Sequence, residues 1–301
     1  MDVHQLATLR EVAQHGSVTA AARILHCTPS AVSQQLKALE RAAGVPLVER
    51  AGRGIRLTGA GHALARSAVE VAVALERAQA AVTRFAAETT GSVTITAFQS
   101  AAELLFPDLV TRVLALGGIG LECNESDVAQ SEFAALTAEY DLVLAHRPDR
   151  SQDWPASVKA IPLFREPVDV ALPLNHRLAG QQRVQVADLA GESWIAVRTG
   201  FPLAELLTTL AARSGQAPRI AHRINDFHVV EAMVARGHGI ALLPRYSAGD
   251  RTDQHIVLKP LAGARPGRQI DLLVRPDRAE RLVVRAVITE LRQLTRTIRR
   301  P

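Results

Sequence analysis

Apolar residues in the first 58 positions recur at helical spacing in three short blocks. Val3, Leu6, Leu9 and Val12 step by three, which predicts an amphipathic helix with one buried stripe. The second block, GSVTAAARIL, offers Thr19 as an N-cap before Ala21, Ala22 and Leu25. In the third, CTPSAVSQQLKALE, Thr28 suits an N-cap and Pro29 the first helical turn. Val32, Leu36 and Leu39 then share one face, while Ser30, Ser33, Gln34 and Lys37 lie on another, and Gly44 closes the segment. VERAGRGIRLT follows, with a glycine-containing turn between two short extended pieces that predict a small hairpin.

From Gly59 to about Thr89 there is no proline and alanine dominates, so one helix of about 45 Å is expected. Leu64, Ala68, Val71, Leu75, Ala78, Val82 and Phe85 step alternately by four and three. That seam fits self-association through Leu64, Ala68, Val71, Leu75 and Val82, since no neighbouring segment offers an obvious partner. Packing on its own domain is the alternative. After ETTGS the pattern changes to short apolar strands (VTITA, IGLEC, DLVLAH, VDVALP, SWIAV, IALLP, IDLLV) interleaved with helical stretches such as SAAELLFPDLVTRVL, SEFAALTAEY and FHVVEAMVARG. Such alternation predicts an α/β fold with parallel sheets, and about 210 residues of it suit two lobes better than one.

Composition narrows the class. Of 301 residues, 48% are hydrophobic and 22% charged, the balance of a soluble globular protein. No apolar run approaches the roughly 20 residues that span a bilayer, and the opening residues lack the pattern of an export signal. A cytoplasmic protein without membrane contact is expected. Cys27 and Cys123 are too few for a disulfide framework or a metal cluster. The net charge is +5; residues 1–60 contribute a net +3 and residues 275–301 a net +5. In the tail, Leu282, Val283, Ala286, Val287, Leu291 and Leu294 form one stripe, so its arginines read as the solvated face of an amphipathic helix. In the basic N-terminal block, short hydroxyls and an amide on a capped second helix either approach base edges in a major groove or form an ordinary solvated face; spacing alone leaves both open.

Residues 16–61 resemble the winged helix-turn-helix of LysR-type transcriptional regulators. The likeness rests on Gly16-Ser17, Ala21-Ala22, Leu25, Pro29-Ser30-Ala31-Val32-Ser33, Leu39-Glu40, Gly44, Leu47, Arg50, Leu57-Thr58 and Gly61. Val48 departs from it, standing where the family generally has phenylalanine under the wing. The resemblance implies base contacts from Pro29, Ser30, Ser33 and Gln34, and phosphate contacts from Lys37, Ser17 and Thr19. At the wing tip Arg53 is placed to enter a minor groove, or simply to meet solvent. It further implies a linker helix that pairs subunits and a two-fold dimer, or a tetramer, on an inverted-repeat duplex.

The rest of the chain resembles the family's effector-binding region, two lobes like periplasmic binding proteins, through YDLVLAHRP, NHRLAG and VVEAMVARGHGIALLPRY. Three parts are expected: a winged helix-turn-helix over 1–58, a linker helix over 59–90 and an effector domain over 91–301. Lobe one would comprise 91–162 and 268–301, and lobe two 163–267. Carried over by position, Gln99, Ser100, His146, Thr199 and Asn225 are the candidate effector contacts. Serine and asparagine beside helix starts also serve as plain caps. A helix start bearing a hydroxyl suits an anion such as a carboxylate. No cofactor or metal is expected. Redox-sensing relatives carry paired cysteines elsewhere, so Cys27 and Cys123 read as structural thiols.

An enzyme on an α/β scaffold lacks support, since no HExxH, GxSxG, P-loop or dinucleotide glycine pattern occurs. A solute-binding protein for uptake leaves residues 1–90 without a role.

Overall fold

The computed structural model describes residues 1–51, 54–83, 90–149, 153–214, 216–248 and 255–298. Arg53 and Phe85 lie outside them.

Three helices, α1 (Val3–His15), α2 (Val18–Ile24) and α3 (Pro29–Ala43), pack around Leu9, Val12, Val32 and Leu39, all fully buried. The hairpin β1 (Val48–Ala51) and β2 (Gly54–Leu57) follows in an antiparallel pair. Then comes α4 (Gly59–Thr83), whose 25 residues extend about 37 Å. Its small residues Gly61, Ala65 and Ala68 are buried, which lets α1 lie close against it. The expected seam is therefore divided. Leu64 and Ala68 pack into the core of the N-terminal domain and do not belong to an open face. From Val71 onward the stripe is free: Val71 is 39%, Leu75 54% and Val82 69% exposed.

Lobe one opens with β3 (Gly91–Ala97), α5 (Gln99–Leu116), β4 (Ile119–Glu125), α6 (Phe133–Leu136) and β5 (Leu142–Pro148). Pro107 sits inside a continuous α5. SEFAALTAEY, expected as a helix, gives only a 3-10 turn and the single turn of α6. The long strand β6 (Lys159–Pro173) carries the chain across. Lobe two holds β7 (Val184–Gln185), β8 (Ser193–Ala196), α7 (Pro202–Ser214), β9 (Arg219–Arg223), α8 (Phe227–Ala235), β10 (Ile240–Pro244), α9 (Arg245–Ala248), β11 (Ile256–Lys259) and β12 (Leu261–Ala262). The chain returns through β13 (Gly267–Val274) and ends on α10 (Leu282–Ile298). In α10 Val283, Val287, Leu291 and Leu294 are buried while Arg285, Arg292 and Arg296 are exposed, as its apolar stripe predicts.

The strands run in the order β4-β3-β5-β13-β6-β10-β8-β9, with β11 also on β6. The sheet is mixed, not parallel: β13 lies antiparallel to β5 and β6, and β10 antiparallel to β6. The reason is that β13 returns from lobe two and enters between strands already laid in one direction. β6 pairs with β13 as far as Pro167↔Gly267 and with β10 from Val168↔Pro244. The crossings thus fall at Pro167/Val168 and Pro266/Gly267, later than the expected 162/163 boundary and one residue before 268. β6 runs unbroken through the first of them, so no change of element marks it, although Pro167 stands at the exchange of partners. Each lobe has its own apolar core.

Candidate DNA-reading head and effector cleft

The reading head is assembled from local signals. Gly16 (φ +61) ends α1 in the left-handed region, and Ser17 leaves it extended, its Oγ accepting from the Ala20 N–H. Ser17 is therefore the cap of α2, and Thr19, expected in that role, is an exposed residue within the helix. His26 (φ +50) makes the tight turn before α3. Thr28 then caps α3 by accepting from the Ala31 N–H at 3.2 Å. With Val32, Leu36 and Leu39 turned inward, Pro29, Ser30, Gln34 and Lys37 stand exposed on the outer face. Ser33 is half-buried and donates to the Pro29 carbonyl at 2.9 Å, which leaves its oxygen free to accept. Two further residues steady this face. Gln35 takes a hydrogen bond from Thr8 of α1, and the Glu40 carboxylate accepts from the N–H groups of Leu47 and Val48 at the wing's entry.

The cleft lies where the two lobes face each other. A narrow pocket, about 30 Å³ in cavity volume, is lined by Gln99, Ser100 and His146 of lobe one, Asn225 of lobe two, and Arg268 from the start of β13, with Phe98, Phe201 and Phe227 as apolar walls. Four of the five expected residues therefore meet. Thr199 does not; it is exposed and outside the lining, because the VRTG turn presents Val197 inward instead. α5 starts at the pocket without a side-chain cap, and its Ala101 N–H donates to the Phe98 carbonyl at 3.0 Å.

Arg268 organises the floor. Its guanidinium donates to Ser100 Oγ at 2.7 Å and, through Nε and Nη2, to Glu166 Oε2 at 2.9 and 2.7 Å, and it lies 4.9 Å from the Phe98 ring centroid. Arg268 and Glu166 are both buried, so each neutralises the other's desolvation cost. His146 packs edge-on against Phe98 and Phe133, with ring centroids 4.5 and 5.0 Å away. Burial, reinforced by the Arg268 charge, holds its pKa well below 6.5, so the ring is neutral at physiological pH. Asn225 spans the lobes: it accepts from the Arg198 N–H at 2.9 Å and donates to Asp127 at 3.0 Å. Arg268, Glu166 and Asp127 escape sequence reasoning. Arg268 and Glu166, charged residues within strands, carry no local cue for which face they take, and Asp127 lies in the loop after β4.

Comparison with known proteins bears on both halves. A family model for bacterial regulatory helix-turn-helix proteins of the lysR family matches residues 3–62, and one for the LysR substrate binding domain matches residues 86–296. The chain belongs to the LysR family. This LysR-type regulator is a DNA-binding transcriptional regulator with a C-terminal effector-binding domain. It is 28% identical over 269 residues to the Hca operon transcriptional activator HcaR of Escherichia coli K12, covering 88% of this chain and 89% of that one. It is 26% identical over 288 residues to the transcriptional dual regulator GltC of Bacillus subtilis 168, covering 92% of each. Full-length OxyR from Pseudomonas aeruginosa shares the fold, with a TM-score of 0.66 at 21% identity over 97% of this chain and 95% of that one. No helix among the described residues is long and apolar enough to cross a membrane. Cys27 and Cys123 are free, half-buried thiols, and burial pushes the Cys123 thiol up.

Proposed function

We propose that this LysR-type regulator acts in the cytoplasm as a dimer or dimer of dimers, reading an inverted-repeat duplex through α3 and responding to a small anion in the lobe cleft. The observation that carries the reading is the division of α3. Its apolar stripe is sealed into the domain while Pro29, Ser30, Gln34 and Lys37 face outward with Ser33 beside them, a surface that fits a major groove. Ser17 and Thr19 at the start of α2 would meet phosphates. A two-fold dimer would form along Val71, Leu75 and Val82, the exposed part of the seam.

In the cleft, the uncapped start of α5 together with Gln99, Ser100 and Arg268 supports an anionic head group such as a carboxylate. The phenylalanine walls support an apolar body. Binding, not turnover, is the cleft's work: Ser100 Oγ meets a guanidinium rather than a base. Because Asn225 and Asp127 bridge the lobes, a ligand that displaces or completes this bridge changes the lobe arrangement, and differential affinity for the two arrangements shifts the geometry on DNA.

One experiment tests both halves on an inverted-repeat duplex titrated across salt. The Ser33→Ala, Gln34→Ala pair should lose about 2 kcal/mol of discrimination between specific and random duplex, roughly thirtyfold, at unchanged dimer mass. Ser100→Ala should bind the duplex like the parent yet give a blunted effector response in a thermal-shift screen of small carboxylates. Undiminished discrimination would remove α3 from the groove, and a full response would remove Ser100 from the cleft site. Separately, Leu75→Glu should turn the dimer into monomer on size-exclusion chromatography with light scattering. A dimer of unchanged mass would show that α4 is not the seam.

A further inference from the structure

A second pocket sits at the two chain crossings between the lobes. Its cavity volume is about 240 Å³ and it is open to solvent. Its wall holds four arginines, Arg165, Arg183, Arg245 and Arg265, and one carboxylate, Asp169. The crossings themselves form its base: Val168 N–H donates to the Pro266 carbonyl at 3.0 Å, just where β6 exchanges one partner strand for another.

Two of the four arginines are already fixed. Arg245 makes a forked pair with Asp169, at 2.6 and 2.7 Å. Arg165 makes another with Asp149, at 3.0 and 2.7 Å, and also donates to the Arg265 carbonyl. Arg165 lies so close over the return crossing that a Cβ on Gly267 would meet its guanidinium at 2.4 Å; the glycine is what lets it lie there. The other two, Arg183 and Arg265, are exposed and meet no carboxylate among the described residues. After pairing with Asp169 and Asp149, two positive charges therefore remain at the mouth of one concave site. Forked, pre-oriented guanidinium groups beside free ones match planar or tetrahedral oxyanions, and donors held in advance lose little freedom on binding.

We propose that this crossing pocket binds a small multiply charged oxyanion, bearing phosphoryl or clustered carboxylate groups, and that its occupancy holds the two lobes at one angle. The ligand would touch Arg165 on the lobe-one half of β6, Arg265 on the return crossing and Arg183 in lobe two. An anion shared by the three resists any rotation that separates them. The site is distinct from the cleft and does not depend on the effector reading, since none of its arginines lines the cleft pocket.

The test uses the full chain and calorimetric titration with inorganic pyrophosphate and with citrate, each against potassium chloride of equal ionic strength. Saturable binding of at least one probe is expected, the tighter probe showing whether phosphoryl or carboxylate groups are preferred. The Arg183→Gln, Arg265→Gln pair should weaken it about a hundredfold, two charged contacts at roughly tenfold each, while binding the inverted-repeat duplex normally. In the parent, the bound probe should slow hydrogen exchange in residues 165–169 and 260–267. Absence of saturable binding for both probes, or equal binding by the double variant, overturns the proposal. So does loss of binding on Ser100→Ala, which would place the anion in the cleft, or displacement of the probe by random-sequence duplex, which would assign the arginines to DNA. Failure here leaves the α3 and Ser100 results untouched, so the two readings fail separately.

Discussion

Replacing Gly61 with alanine should cost the reading head about 3 kcal/mol or more and remove high-affinity duplex binding. A Cβ at that position would stand 2.0 Å from the Leu47 carbonyl oxygen, 3.0 Å from its carbon and 3.2 Å from Leu57 Cβ. The first two are backbone atoms, which cannot rotate aside as a side-chain tip would. They are also pinned from both directions. The Leu47 carbonyl accepts from the Thr58 N–H at 3.0 Å, and the N–H groups of Leu47 and Val48 are held by Glu40 of α3. To admit one methyl group, either the wing's entry must let go of α3 or the start of α4 must lift from the domain. Either movement opens the contact between Leu47, Leu57 and Ala65 in the core. Gly59→Ala is the matched control. Nothing lies within 4 Å of a Cβ there, so alanine should be neutral or stabilise α4 by a few tenths to about 1 kcal/mol. Thermal unfolding and duplex affinity measured on both variants decide it; equal behaviour of the two would refute the close approach as the reason for glycine.

How far the sequence foretells this arrangement follows from the range of the interactions. The reading head is legible because its determinants are local: Thr28 and Ser17 cap within three residues, Gly44 (φ +72) closes α3, and the inward stripe of α3 is a spacing within one helix. Even there, the spacing puts the α2 cap on Thr19, because it does not disclose that Gly16 turns the chain three residues earlier and leaves Ser17 to cap. The α4 seam was read as one surface, yet its first half is spent against α1, a contact that no spacing within α4 can disclose. In the effector domain the strands are legible and their order is not, because pairing joins segments about a hundred residues apart. Gln99, Ser100, His146 and Asn225 converge as the family likeness implies, but the Arg268–Glu166 pair beneath them spans 102 positions. Arg275, Asp277 and Glu11 are the extreme case.

Glu11→Ala should undock the reading head from lobe one at a cost of about 3–5 kcal/mol, the range for breaking a buried ion pair by removing one partner. Glu11 sits on α1 between the core residues Leu9 and Val12, but its carboxylate faces the effector domain. There Arg275, at the end of β13, donates to it at 2.9 Å across 264 positions. Arg275 also pairs with Asp277 at 3.2 Å, and Asp277 with Arg10 at 2.7 Å. Glu11 and Arg275 are 2% and 5% exposed, so an alanine leaves a buried guanidinium with only Asp277 to balance it. The domain core does not depend on this cluster, and α1 should stay helical. The expected signature is faster hydrogen exchange along residues 275–281 and the outward face of α1, with Glu11→Gln intermediate because it keeps an acceptor. Acid should mimic the variant. Burial alone would raise the Asp277 carboxyl, but Arg275 and Arg10 outweigh it and hold the pKa below the ordinary 3.8. Its contribution is therefore complete above that value and lost as pH falls through the lower, folded one. The consequence for signalling comes from β13 itself, which starts at Arg268 in the cleft and delivers Arg275 to the cluster seven residues on, roughly 23 Å away. If that strand transmits a cleft event to the DNA-reading head, Glu11→Ala should retain effector binding and duplex binding as separate properties while abolishing the change that one makes in the other. A variant with unaltered exchange and an intact response would show that the buried charges neither dock the head nor carry the signal.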